Sequence, residues 1–118
     1  MIVITGAAGF IASYLVGHLN ELGYENLILV DDFSRVDKIS NYSRKKFIKK
    51  IERTEFVTWL ENTNETIDII FHLGARTDTT EMSVEIFDEL NLFFSQKIWT
   101  VCSKKNIPLI YASSAATY

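Results

Sequence analysis

The sequence contains little cysteine, proline or glycine, and each shortage excludes a class of protein. Cys102 is the single cysteine among 118 residues, which rules out an internal disulfide and a metal site built from several cysteines. One proline and five glycines leave no low-complexity linker. No apolar run is long enough to cross a membrane, and no basic leader with a cleavage site precedes the first strand. We therefore expect a cytoplasmic protein without membrane contact.

The charge and composition exclude a second group of functions. The formal net charge is −3, whereas a nucleic-acid-binding domain usually carries a basic face. Hydrophobic residues make up 47% and charged residues 23%, an ordinary balance for a globular protein. We predict one domain over residues 1–118, with no nucleic-acid partner and no metal site. Cys102 lies in an apolar helical run, which favours a core position over a nucleophile.

A strand followed by a glycine turn and a helix opens the chain. Ile2–Ile4 is a β-branched run typical of a strand buried on both faces. Gly6 permits a sharp turn, Gly9 permits close approach of a phosphate, and Ala12 allows the helix to pack tightly on the strand. This arrangement points backbone N–H groups at an anion. A purely structural turn is the alternative.

The second strand ends in an acid. The segment Asn26–Asp31 is apolar until Asp31, which lies roughly 20 residues after the glycine turn. An acid in this position can accept hydrogen bonds from a ribose. A solvated acid at the start of a loop is the alternative interpretation.

Strands and helices alternate along the rest of the chain. This alternation predicts right-handed βαβ crossovers and a parallel sheet with helices on both faces. The first helix is expected to bury a stripe of Ile11, Leu15, Leu19 and Leu22. The predicted helices are Phe10–Leu22, Glu52–Asn62 and Glu85–Lys105, and the predicted strands after the second are Phe47–Ile51, Ile67–Leu73 and Pro108–Ala112.

Small residues follow the fourth and fifth predicted strands. Gly74 and Ala75 come directly after the fourth strand, and Ser113 and Ser114 follow the fifth. The carboxyl ends of parallel strands meet at one sheet edge, where ligands bind. Together with the glycine turn and Asp31, these residues predict a ligand site at that edge.

Other polar features have simpler explanations. Residues 32–50 are basic, which fits either a solvated loop or a cationic wall beside a cofactor. Asp78 and Glu81 have the spacing of a helix cap. His18 is expected on a helix flank, and His72 is expected to be a packed residue at a strand end. Asn91 interrupts an apolar helix face and needs partners, which could be neighbouring loops or a ligand.

Three stretches carry a family resemblance. Residues 5–12 read Thr-Gly-Ala-Ala-Gly-Phe-Ile-Ala, residues 71–75 read Phe-His-Leu-Gly-Ala, and residues 111–118 read Tyr-Ala-Ser-Ser-Ala-Ala-Thr-Tyr. Together they resemble the extended short-chain dehydrogenase/reductase family, which includes NAD(P)-dependent nucleotide-sugar epimerases and dehydratases. The second and third stretches are most similar to its ADP-glyceromanno-heptose 6-epimerases. The resemblance implies a Rossmann-type doubly wound α/β fold, truncated after the fifth strand.

The resemblance also implies roles for individual residues. Ala12 departs from the family, which more often has glycine there. Ser114 matches the serine that hydrogen-bonds the reacting sugar oxygen, the one catalytic residue that we assign. The positions that match cofactor-binding residues are Gly6, Gly9, Phe10, Ile11, Asp31, Asp32, Lys38, Arg53, Leu73, Gly74, Ala75, Thr77 and Asn91.

The implied activity is epimerisation of a nucleotide sugar of the ADP-heptose type by transient oxidation and re-reduction of one sugar carbon. The cofactor is NADP or NAD: Asp31 and Asp32 disfavour a 2′-phosphate, while Lys38 and Arg53 could offset them. The family's catalytic Tyr-x-x-x-Lys pair is expected beyond residue 118, so we expect this chain to lack turnover. We also expect the full-length enzyme to be a homo-oligomer. A hexose 4-epimerase or 4,6-dehydratase, a non-catalytic dinucleotide-binding module and a fragment without a ligand are the alternatives.

Overall fold

The strands and helices follow the order that the sequence predicts. A computed structural model describes residues 1–7, 10–33, 42–73 and 84–111, without the side chains of residues 10, 84–93 and 111. Within those ranges no helix is long and apolar enough to span a membrane. The elements in chain order are β1 (Ile2–Thr5), α1 (Phe10–Glu21), β2 (Leu27–Asp31), β3 (Lys49–Glu52), α2 (Arg53–Asn62), β4 (Ile69–His72), α3 (Val84–Lys105) and β5 (Leu109–Tyr111). Among the described elements, β2 and β3 are consecutive.

The five strands form one parallel sheet in the order β3-β2-β1-β4-β5. β1 lies at the centre, where Ile2 is in register with Leu27 of β2 on one side and Ile69 of β4 on the other. The order reverses beside β1, since the chain adds β2 and β3 on one side before it crosses to β4 and β5. This confirms the predicted doubly wound sheet, and it places the reversal beside the glycine turn.

Two apolar layers cover the sheet, because successive strand residues point to opposite faces. Val3 and Ile70 pack with α2 and α3, whereas Ile4 and Leu29 pack with α1. All four side chains are fully buried, as expected for parallel strands that are covered on both sides.

The buried face of α1 differs from the predicted one. Ala12, Val16 and Leu19 are buried, while Ile11 is 58% exposed and Leu22 is 61% exposed. The predicted stripe is therefore rotated by about one residue. Ala12 adds little bulk and lets the helix lie close to the sheet, so the small residue takes the place that hydrophobicity alone gives to Ile11.

The third strand begins two residues later than predicted. Ile48 N donates to the Leu27 carbonyl at 2.8 Å, and pairing with β2 continues over Lys49–Glu52. Ile51 is the buried residue of this strand, and its other three residues are exposed. Lysines on an outer strand hinder pairing with another chain, so their position suits the edge of the sheet.

The helices α2 and α3 form the second covering layer. Phe56 and Leu60 are fully buried on α2, and Ile98, Val101 and Cys102 are buried on α3. Burial raises the pKa of the Cys102 thiol to about 11, so the reactive thiolate is scarce near neutral pH. The prediction that Cys102 is a core residue is confirmed.

Candidate functional site

The carboxyl ends of the strands bring polar residues to one edge of the sheet. Thr5 ends β1, Asp31 ends β2, Glu52 ends β3 and His72 ends β4. The registers place Thr5 opposite His72, and Asp31 opposite Glu52. Asp31 is the member of this group that the sequence predicts as a ligand contact, and the structure adds Glu52.

The glycine turn adopts a conformation that suits close approach of a ligand. Gly6 has a φ of +69°, in the left-handed region that side chains rarely enter. The next residue is fully buried, and Ala7 N donates to the Val30 carbonyl at 3.2 Å, so the turn is held against the end of β2. α1 starts shortly afterwards at Phe10. Its N-terminal N–H groups lack partners within the helix and favour an anion.

Carboxylates gather at the ends of β2 and β3. Asp31 is half-buried, and its Oδ1 accepts a hydrogen bond from Asp32 N at 2.7 Å. Glu52 Oε2 accepts from Phe33 N at 3.4 Å, which brings a further carboxylate to the end of β2. These acids lie where a ribose would need hydrogen-bond acceptors.

A hydrogen-bond chain joins β1, β4 and α3; its Thr5–His72 contact is buried and its His72–Ser95 contact is partly buried. Thr5 Oγ1 lies 2.6 Å from His72 Nδ1, and His72 Nε2 lies 2.7 Å from Ser95 Oγ. The prediction that His72 is packed at a strand end is confirmed, since the residue is 1% exposed. Its partners were missed, because Thr5 and His72 are 67 residues apart. The signal that could find them is the strand order, which sets these two strand ends side by side.

The environment of His72 keeps the imidazole neutral. Burial, helped by the positive charge of Arg53, lowers the pKa of His72 from 6.5 to about 4. The Phe94 ring packs edge-on against the imidazole, with 5.6 Å between the ring centroids. A neutral imidazole has one donor and one acceptor nitrogen, so the two hydroxyl contacts satisfy both.

Sequence comparison decides the family. Residues 2–118 match the model of the NAD dependent epimerase/dehydratase family. The chain belongs to this family. The epimerase/dehydratase fold accounts for both the parallel sheet and the glycine turn at the point where the strand order reverses.

Individual epimerases resemble the chain over nearly its whole length. It is 36% identical to the ADP-L-glycero-D-manno-heptose-6-epimerase of Fusobacterium nucleatum over 120 residues, covering 100% of this chain and 36% of that protein. A solved UDP-glucose 4-epimerase superposes with a TM-score of 0.72 at 26% identity, over 99% of this chain and 36% of that one. The chain thus spans about a third of the length of such relatives.

A third relative is the UDP-glucuronic acid 4-epimerase of Bacillus cereus, solved as a Y149F mutant with a fluorinated UDP-sugar and NAD. It superposes with a TM-score of 0.63 at 26% identity, and it covers 92% of this chain and 37% of that one. The agreement in fold with two epimerases is consistent with the family assignment.

Arg53, at the start of α2, packs against α3. Its guanidinium carbon is 4.9 Å from the centroid of the Phe94 ring on α3, a cation–π distance. The predicted contact between Arg53 and a cofactor phosphate stays a prediction. Leu73 is half-buried beside the α1 layer, and Ile11 is exposed on the first turn of α1.

Several predicted site residues lie outside the described residues. The assignments for Gly9, Lys38, Gly74, Ala75, Thr77 and Ser114 therefore stay predictions, as do those for the side chains of Phe10 and Asn91. Within the described ranges no group of three or more His, Cys, Asp or Glu residues could hold a metal ion.

Tyr42 and Lys46 have the Tyr-x-x-x-Lys spacing of the family's catalytic pair, but their side chains do not form one. Tyr42 is buried and packs edge-on against Phe33, with 5.2 Å between ring centroids. Lys46 is exposed, and its Nζ lies 3.5 Å from Glu25 Oε2 in the segment before β2. The two residues belong to the connection between β2 and β3, and the spacing carries no catalytic meaning there.

Proposed function

We propose that this chain is the dinucleotide-binding part of a nucleotide-sugar epimerase that uses NAD(P) and acts on a sugar of the ADP-heptose type. The observation that carries the proposal is the Gly6 turn at +69°, which lies between the end of β1 and the start of α1. Backbone N–H groups there are suited to a pyrophosphate. The nicotinamide of the cofactor would supply reversible hydride transfer.

Different residues at the carboxyl ends of the strands bind different parts of the cofactor and the sugar. The Gly6 turn and the first turn of α1 hold the diphosphate, and the Asp31 carboxylate accepts hydrogen bonds from the ribose hydroxyls. Ser114 orients the sugar hydroxyl. We expect the 118-residue chain to bind the dinucleotide without catalysing epimerisation of the sugar.

The heptose-type substrate is favoured by sequence similarity. In sequence alignment the chain is 36% and 38% identical to the heptose epimerases of Fusobacterium nucleatum and Brachyspira hyodysenteriae. A 4-epimerase acting on a UDP-hexose is the second candidate, because the fold superposes on the UDP-glucose 4-epimerase over 99% of this chain.

Two glycines provide a matched test of the cofactor site. Gly6 and Gly23 have φ values of +69° and +96°, so alanine strains the backbone at both, by about 1–2 kcal/mol. Gly23 lies beyond the other end of α1, where an added methyl group meets nothing within 4 Å. We expect Gly6→Ala to weaken NADH binding at least about tenfold and Gly23→Ala to leave it unchanged. Fluorescence titration of NADH measures both. Equal affinities in the two variants would contradict the proposed site.

Charge at the ends of β2 and β3 favours NAD over NADP. Asp31, Asp32 and Glu52 would all repel a 2′-phosphate. We expect the 118-residue chain to bind NADH at least about tenfold more tightly than NADPH, and Asp31→Asn to narrow that ratio. Parallel titrations of both cofactors measure it. Tighter binding of NADPH would show that Lys38 and Arg53 outweigh the carboxylates.

A further inference from the structure

The Thr5–His72–Ser95 chain lies directly behind the glycine turn. Thr5 precedes Gly6, and its hydroxyl is 2.6 Å from His72 Nδ1. The Thr5 residue is 1% exposed, so this contact is shielded from water. A buried hydrogen bond of this kind restricts the strand end from which the turn departs.

The second nitrogen of His72 serves a different element. Nε2 contacts Ser95 Oγ at 2.7 Å and so ties the end of β4 to α3. Among the described residues, the imidazole thus contacts Thr5 beside the glycine turn and Ser95 in the helix layer. Arg53 of α2 lowers the pKa of the imidazole by its positive charge, and the Phe94 ring of α3 packs edge-on against it.

We propose that His72 is a positioning residue for the dinucleotide, because its Nδ1 contact with Thr5 fixes the start of the Gly6 turn. The inference rests on the proposed function and adds a residue that does not touch the cofactor. The two ring nitrogens then have different roles. The contact of Nδ1 with Thr5 supports affinity for the dinucleotide, and the contact of Nε2 with Ser95 supports packing of α3.

Two amides separate these contacts. Asparagine places a polar atom where histidine carries Nδ1, so His72→Asn retains a partner for Thr5 and loses the partner for Ser95. Glutamine reaches the Nε2 position, so His72→Gln retains the Ser95 contact and loses the Thr5 contact. A second pair acts on the other partner: Thr5→Val removes the hydroxyl, and Thr5→Ser keeps it.

The experiment measures the dissociation constant of ADP, which carries a diphosphate and no nicotinamide, for each 118-residue variant at equal folded fraction. His72→Gln and Thr5→Val are expected to raise it about tenfold, the value of one lost hydrogen bond. His72→Asn and Thr5→Ser are expected to stay within about threefold of wild type. Val101→Ala, a core change on α3, is the control for lost stability and should bind ADP normally.

The outcomes separate the two proposals. Binding of ADP by the wild type with equal affinity in all variants would overturn the positioning role and leave the proposed function standing. Loss of affinity in His72→Asn equal to that in His72→Gln would also overturn it, since it would indicate general disorder. No binding of ADP by the folded wild type would overturn the proposed function and this inference with it. If His72→Gln fails to fold, the Thr5 pair decides.

Discussion

Acidification is expected to cost the folded chain about 3 kcal/mol through His72 alone, as the pH falls from about 6.5 to about 4. Burial, together with Arg53, lowers the pKa of this imidazole in the folded state to about 4, whereas it stays near 6.5 in the unfolded chain. Between these values the unfolded chain takes up a proton that the folded chain excludes. The contribution of His72 to the free energy of unfolding is therefore fully present above about pH 6.5. It is lost as the pH falls toward the pKa of the folded state, about 4.

Urea unfolding at a series of pH values measures this effect. Carboxyl groups also titrate in this range, so the comparison of wild type with His72→Asn isolates the contribution of the histidine to the pH dependence. The variant is expected to lose less stability than wild type over the same interval, by about 3 kcal/mol. His18→Gln is the control, since His18 is exposed on α1, and it should behave as wild type. Identical pH profiles for wild type and His72→Asn would contradict a buried neutral imidazole.

Phe56→Ala is expected to destabilise the fold by about 3–5 kcal/mol. The Phe56 side chain is fully buried between α2 and the sheet. Its ring stacks on Trp59 at 6.0 Å between centroids and meets Phe94 edge-on at 6.4 Å. Removing the ring leaves a cavity at the junction of both helices, which the rigid strands beneath cannot fill.

The midpoint of urea unfolding reports this loss. With a slope of about 1–3 kcal/mol per molar urea, the midpoint should fall by more than about 1 M. Tyr14→Ala is the control, because Tyr14 is 76% exposed on α1, and its effect should stay within about 0.5 kcal/mol. A loss below about 1 kcal/mol in Phe56→Ala would show that the α2 layer is not packed around this ring.

The fold could be predicted from the sequence wherever local chemistry determines it. A β-branched run such as Ile2–Ile4 predicts a strand that is covered on both faces of a sheet. The alternation of such strands with helices then predicts that the sheet is parallel. The prediction of the buried face of α1 was wrong, because the distance between helix and sheet decides which residues are buried. A hydrophobic pattern contains no such distance. Ala12 rather than Ile11 is buried for this reason.

The candidate site was predicted in part. Gly6 and Asp31 are local signals, since a turn and a strand end can be recognised from adjacent residues. The contact between Thr5 and His72 depends on which strands become neighbours, and the sequence separates them by 67 residues. Glu52 was missed for the same reason, because its proximity to Asp31 follows from the pairing of β2 with β3.

The central position of β1 also sets the order of events during synthesis. β1 is made before β4, yet one of its edges pairs with β4, and the partner of Thr5, His72, is made 67 residues later. At about 5–20 residues per second, that edge has no native partner for about 3–13 s. The strand that precedes the glycine turn is thus made well before its partner β4, so one row of its backbone N–H and C=O groups stays without native partners for seconds before the sheet can close around it.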